Sequence, residues 1–287
     1  MVKSLFPKSL NHHLEWPWLS LGLVALIALP YVANATSESF YIALATRILI
    51  FAMAATSLNL ILGFGGMVSF GHAAFLGVGA YTVAILTQMG FADAWVLWPV
   101  AMLVAGVFAF LIGAVSLRTQ GVYFIMITLA FAQMVYYLVV SFKAYGGDDG
   151  LPLLARSRVG MLDMSADTNF YYITLAICLL VLVLIARLLN ARFGHVLQAI
   201  RENDFRAEAL GYRTVVYRTG SNVLSALFAT VAGALLALWL RYTGPDTTLS
   251  FEVMLDILLI VVIGRLSPCS LKPCRHRPPC PRPCGSP

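Results

Sequence analysis

Apolar residues run along this chain in long blocks, parted by short polar or glycine-rich links. The blocks are Trp18–Val32, Tyr41–Leu62, Met67–Gln88, Trp95–Leu117, Val122–Phe142, Phe170–Leu189, Thr219–Tyr242 and Phe251–Gly264. A helix of about 20 apolar residues crosses the hydrocarbon of a bilayer. The pattern therefore predicts an all-α fold, a polytopic membrane helical bundle of about eight spans. The first block is short and the last ends abruptly. Trp16, Trp18, Trp95, Trp98 and Trp239 fall near block ends, where indole rings favour the membrane interface.

The charges between the blocks set an orientation. Lys3 and Lys8 place the N-terminus, residues 1–17, inside. Counting spans then puts Ala33–Phe40, Met89–Ala94, Lys143–Asn169 and Thr243–Ser250 outside. Gly63–Gly66, Arg118–Gly121 and Asn190–Arg218 fall inside. The inside loop Asn190–Arg218 carries Arg192, Arg201, Arg206, Arg213 and Arg218. The outside loop Lys143–Asn169 offsets Lys143, Arg156 and Arg158 with Asp148, Asp149, Asp163 and Asp167. This parity obeys the positive-inside rule. Ala33-Asn34-Ala35 resembles a signal-peptidase site, but the spans that follow and the charge parity favour a retained first span.

Composition agrees with a membrane protein. Hydrophobic residues make up 60% of the 287 residues and charged residues 11%, against about 25% charged in an average soluble domain. The net charge of +6 belongs to the loops. No basic patch interleaves with exposed aromatics as in nucleic-acid modules, so no nucleic-acid partner is expected.

Two stretches break the monotony. Ser57–Thr82 reads SLNLILGFGGMVSFGHAAFLGVGAYT. Gly63, Gly65 and Gly66 interrupt an apolar helix, and a segment lined with Ser69, Gly71, Ala73, Ala74, Gly77, Gly79 and Ala80 follows. Small residues let membrane helices approach closely, and a break is tolerated where backbone lines a cavity or is buried in protein. The stretch reads as a broken helix beside a solute path. Phe193–Arg218 reads FGHVLQAIRENDFRAEALGYRTVVYR. Val196, Leu197, Ile200, Ala207 and Leu210 recur at helical spacing, and Gly211 is a fitting C-cap. One amphipathic helix is predicted. Spacing alone leaves open whether it lies on the membrane or docks a cytoplasmic partner.

Intramembrane ionisable residues are functional candidates. Arg47 is read as snorkelling to the interface. Asp256 has Arg241 or Arg47 as candidate partners. His72 lies three residues from Ser69, on one face if the segment is helical, which keeps an intramembrane serine hydrolase in view. The spacing is not that of a nucleophile elbow, and no acid stands nearby in sequence. There is no HExxH and no P-loop. A channel would also use glycine-rich backbone, but gives no reason for the amphipathic inner loop. Asp148 and Asp149 are too few ligands for a calcium site.

Taken in order, SLNLILGFGGMVSFGHAAFLGVGAY, LRTQGVYFIMITLAFAQMVYY, GGDDGL and FGHVLQAIRENDFRAEALGY resemble the LivM-type permease subunits of branched-chain amino acid ABC importers. The resemblance covers roughly Thr36 to Gly264. It implies a permease domain over residues 18–264 in a bacterial inner membrane, not an enzyme and without a cofactor. It implies a second, related permease, two cytoplasmic ATPase subunits and a periplasmic substrate-binding protein as partners. It implies that Arg201, Glu202, Asn203, Ala207 and Gly211 lie in the loop that docks on an ATPase. It also implies that Gly65, Gly66, Ser69, Gly71 and His72 border the solute path; a zwitterionic solute needs polar groups on an apolar route, and Asn59, Ser69 and His72 are the candidates to offer them. Related permeases carry urea or short amides, so the solute stays open.

After Gly264 the resemblance stops. Arg265–Pro287 holds Cys269, Cys274, Cys280 and Cys284 among seven prolines. These cysteines lack the close pairs of a structural zinc site. Loss of apolar character in mid-span is the expectation for a frameshift or truncation, and for a version that assembles poorly.

Overall fold

The computed structural model describes residues 24, 26–30, 39–90, 93–116, 119, 121–143, 146–153 and 167–270. Among these, six helices are long and apolar enough to cross a membrane. The predicted span Trp18–Val32 lies mostly outside the described residues, though residues 26–30 are helical and the Leu26 carbonyl accepts from Tyr171 Oη at 2.8 Å. Residues 1–17 and 271–287 also lie outside them.

Helix α1 (Ser39–Asn59) runs into a π-turn, Leu60–Phe64. Its hydroxyls bond back along the helix, as Thr46 Oγ1 to the Ile42 carbonyl at 2.7 Å and Thr56 Oγ1 to the Met53 carbonyl at 2.9 Å. This satisfies polar groups where no water is at hand. Helix α2 (His72–Gln88) follows, then α3 (Ala94–Ser116) and α4 (Val122–Ser141). After strand β1 (Leu151–Pro152) comes α5 (Asp167–Asn190). Two short helices, α6 (Arg192–Glu202) and α7 (Asp204–Ala209), lead into α8 (Thr214–Leu240). Strand β2 (Tyr242–Thr243), α9 (Pro245–Thr248) and α10 (Phe251–Ser270) complete the described chain. The last helix runs past Gly264 to Ser270.

The bundle is built around α2 and α8. The apolar stretch of α8 is 72% buried, that of α4 only 22%. Glycine makes the α2–α8 crossing close: a Cβ on Gly79 would stand 2.6 Å from the Thr230 carbonyl oxygen, and one on Gly233 would collide with the Leu76 carbonyl. Side chains that small let the two backbones touch. Helix α3 meets α8 through Ala101, Ala105 and Ala109, buried one turn apart, and Asn222 Nδ2 donates to the Ala109 carbonyl at 3.2 Å. Helices α5 and α10 pack on α1.

Two sequence expectations need correcting. Met67–Gln88 is not one helix: residues 67–71 are irregular and α2 begins at His72. Its 17 residues span about 26 Å at ~1.5 Å per residue, short of the ~30 Å hydrocarbon thickness. The central burial of α2, with the irregular segment covering the remaining depth inside protein, makes that length workable. Asp256 pairs with neither Arg241 nor Arg47; among the described residues it makes no ion pair. It is exposed, because Met254, Ile257 and Val261 turn the other face of α10 to the bundle. Arg47 is also exposed and lies over the Phe51 ring at 5.7 Å.

The parity read from the charges matches the contacts. At one end, β1 pairs antiparallel with β2, Leu151 opposite Thr243, and Tyr242 Oη donates to the Asp149 carbonyl at 2.9 Å. At the other end, Gly66, Thr119, Gly121 and Arg218 line a common cleft. The described parts of Lys143–Asn169 and Thr243–Ser250 therefore meet at one end of the bundle, and those of Gly63–Gly66, Arg118–Gly121 and Asn190–Arg218 at the other.

Candidate functional site

The π-turn at the end of α1 is a product of its sequence. Gly65 N bonds the Leu60 carbonyl at 3.3 Å, five residues back. The widened turn lets the Asn59 side chain fold over Gly63, where a Cβ would strike Asn59 Oδ1. Asn59 Oδ1 is buried without a partner. Gly65 packs a would-be Cβ position 2.6 Å from the Ile61 carbonyl oxygen. Gly66 then takes φ +67°, a conformation that L side chains disfavour, and the chain leaves the helix.

Ser69 and His72 do not form a pair. His72 Nε2 lies 2.8 Å from Ser57 Oγ. The Ser57 hydroxyl donates to the Ala54 carbonyl at 2.7 Å, so its lone pair accepts from Nε2–H. Ser225 Oγ in α8 donates to the Ser57 carbonyl. His72 is thus a tie between α1 and α2, reinforced by α8, with Nδ1 buried and unpartnered. Among the described residues Ser69 Oγ accepts from Gly71 N alone, at 3.3 Å. The irregular backbone between them removes the shared helical face on which a hydrolase dyad depended. Gly71 instead lies against α4, its would-be Cβ 3.1 Å from the Thr128 carbonyl oxygen.

The loop between α5 and α8 folds as two helices, not one. Asn203 takes an extended conformation and its Oδ1 accepts from Arg206 N at 3.2 Å, the geometry of an N-cap. The sequence Asn-Asp after Arg201-Glu202 carries that signal. Gly211, at φ +88°, closes α7: Gly211 N bonds the Glu208 carbonyl at 2.9 Å and Tyr212 N the Ala207 carbonyl at 3.2 Å. These two bonds are a Schellman motif, so the C-cap expected at Gly211 is present. Leu197, Ile200 and Ala207 are buried, while Glu202, Phe205 and Leu210 face outward.

The two candidate stretches meet. Arg201 Nη1 donates to the Gly63 carbonyl, and its Cγ fills the space beside Gly66, 2.8 Å from where a Cβ would stand. Sequence spacing did not link them. Nor did it single out Arg218, which bonds Asp204 Oδ2 at 2.7 Å, or Thr214, whose Oγ1 donates to Glu208 Oε1 at 2.8 Å. Arg218 was visible only as a loop charge. Ser116, Thr128 and Asn222 were hidden in apolar runs; the bundle brings them near Ser69.

The family described as the branched-chain amino acid transport system permease component matches residues 40–271. The chain belongs to that family. The matched stretch holds the helix break, the two-helix loop and the whole of α10. The chain is similar to the high-affinity branched-chain amino acid transport system permease protein LivM of Salmonella typhimurium, 28% identical over 266 residues, which cover 84% of this chain and 61% of that protein. The LivM of Escherichia coli is 28% identical over 268 residues, 85% of this chain and 63% of its own length. The chain thus spans less than two thirds of the curated relatives it matches. No solved structure matches it significantly.

Proposed function

We propose that this chain is a transmembrane permease subunit of an ATP-driven importer that moves branched-chain amino acids across a bacterial inner membrane, with its N-terminus cytoplasmic. A second permease completes the path, two cytoplasmic ATPase subunits drive it, and a periplasmic binding protein delivers the solute. The family supports the permease class. The contact of Arg201 with Gly63 supports the coupling: a loop outside the membrane holds the backbone of a membrane-helix break. A chain of this kind needs such a connection if ATP is bound by another subunit.

On this reading α6 and α7 rest on the ATPase, and closure of the ATPase dimer moves them. Arg201 carries the displacement to Gly63–Gly66, and the break lets the lower part of α1 shift against α2. The LivM relatives are named for branched-chain amino acids, and that is the solute class proposed. Urea or a short amide is the alternative. Uptake of labelled leucine in a strain that depends on this chain tests it, with isoleucine and urea as competitors. Competition by isoleucine and not by urea is expected; the reverse overturns the solute assignment.

A further inference from the structure

Two voids lie on the side of the bundle where α4 packs. One is a buried cavity of about 10 Å³, roughly the space one water needs. The other is an open cleft of about 380 Å³ beside Gly66 and Gly121. Phe124, buried on α4, lines both. It is the residue that the two linings share.

The cavity is chemically mixed. Ser69, Ser116, Thr128 and Asn222 supply polar groups, and Phe75, Ile112 and Phe131 supply apolar walls. No charged side chain lines it. Ser116 is 1% exposed and its Oγ has no partner among the described residues. A buried hydroxyl without a partner is costly, so this one is explained best by a ligand or water that the cavity receives. An uncharged lining with scattered hydroxyl and amide groups suits a solute of zero net charge, with one apolar part.

Helix α4 is held by few contacts within the chain. Its buried residues, Phe124, Thr128, Ala132 and Val135, form a single stripe, and only 22% of its apolar stretch is buried. Gly121 precedes it at φ 65° and ψ −133°, backbone that glycine alone adopts readily, with no described atom within 4 Å of its would-be Cβ. Of the six candidate spans α4 is thus the least anchored within the chain, and a glycine stands at its start.

We infer that the cavity behind Phe124 is a solute-binding position of the permease, shut in this conformation, and that α4 hinges at Gly121 to swing Phe124 aside and release a net-neutral amino acid into the cleft. This rests on the transport reading above and adds its site. The cleft carries Arg218, whose partner Asp204 belongs to α7. The exit and the coupling loop thus share an ion pair.

The test is leucine uptake, and leucine efflux from preloaded, de-energised cells, in the assembled importer. Ser116→Leu fills the cavity and removes its hydroxyl, so uptake falls about tenfold with the protein at its normal membrane level. Val115→Leu, whose side chain is exposed, leaves uptake within about twofold, as surface changes do. Phe124→Ala removes that shared side chain and raises efflux about tenfold. Wild-type uptake with Ser116→Leu, at normal membrane level, overturns the site. If that variant fails to reach the membrane, the efflux of Phe124→Ala decides, and an unchanged rate overturns the proposal. No uptake by the unaltered chain, when it reaches the membrane and co-purifies with the ATPase, overturns the transport reading itself, and the site with it.

Discussion

Arg201 donates its guanidinium N–H to the carbonyl of Gly63, tying the two-helix loop to the π-turn that ends α1. The bond is charge-assisted and reaches a backbone group, so it grips the helix break itself. A carbonyl in a regular α-helix is committed to the ladder; the π-turn and the exit at Gly66 leave this one within reach of a side chain.

Arg201→Ala removes the grip. Losing a hydrogen bond from a charged donor costs about 1.5–3 kcal/mol, which corresponds to about tenfold or more in a coupled step. Uptake is expected to fall by that factor while the ATPase still co-purifies with the permease. Uptake measured beside co-purification checks this, and normal uptake would falsify the coupling role of Arg201.

How much of this was legible in the sequence depends on the distance over which each signal acts. Six of the seven spans after the first were readable because hydropathy acts residue by residue, Met67–Gln88 being the exception, and span counting grouped the loops that share an end. The cap at Gly211 was readable because a C-cap is local. The break at Gly63–Gly66 was readable too, but its consequence was not. Treating Met67–Gln88 as one helix put Ser69 and His72 on a common face, and only the irregular backbone of residues 67–71 separates them. His72 bonds Ser57, fifteen positions away, and Arg201 bonds Gly63 across 138. Such pairs depend on helix packing, to which local periodicity is blind. Asn203 was readable as a loop residue; as an N-cap that splits one amphipathic helix into two, it was overlooked because the apolar pattern continues through it.

The α2–α8 crossing gives a stability prediction. Gly79→Ala places a Cβ 2.6 Å from the Thr230 carbonyl oxygen, and Gly233→Ala drives one into the Leu76 carbonyl. Both neighbours are backbone and cannot rotate away. Overpacking of this kind costs about 1–3 kcal/mol, and each variant is expected to melt several degrees lower in detergent. Gly106→Ala is the contrast, since its Cβ would sit 3.4 Å from a Leu227 methyl. It is expected to hold or raise the melting temperature, because Ala favours helix over Gly by about 1 kcal/mol.

Arg218 and Asp204 are expected to couple. Their side chains are 14% and 24% exposed, so the pair is shielded from most of the screening that weakens surface ion pairs. A double-mutant cycle with Arg218→Ala and Asp204→Ala, read by chemical denaturation in detergent, is expected to give an interaction energy of about 0.5–3 kcal/mol. Additive effects would show that the pair contributes nothing beyond its members.

The outer surface of the two-helix loop makes a prediction opposite in kind to that for Arg201. Phe205 is 86% exposed and Leu210 is 76% exposed, and both project from the loop beyond the buried row of Leu197, Ile200 and Ala207. Apolar side chains that extend into water add nothing to the permease alone, but they are the anchors a protein partner buries. Truncating such an anchor costs about 2 kcal/mol or more of binding, over tenfold in affinity. Phe205→Ala and Leu210→Ala are therefore expected to weaken ATPase co-purification while the melting temperature of the isolated permease stays unchanged. Arg201→Ala is expected to do the reverse, keeping the partner and losing transport. Two residues that differ by four positions would then separate attachment of the motor from transmission of its stroke. If Phe205→Ala binds the ATPase normally, the exposed face of α7 is not the docking surface, and α6 with Glu202 becomes the surface to test.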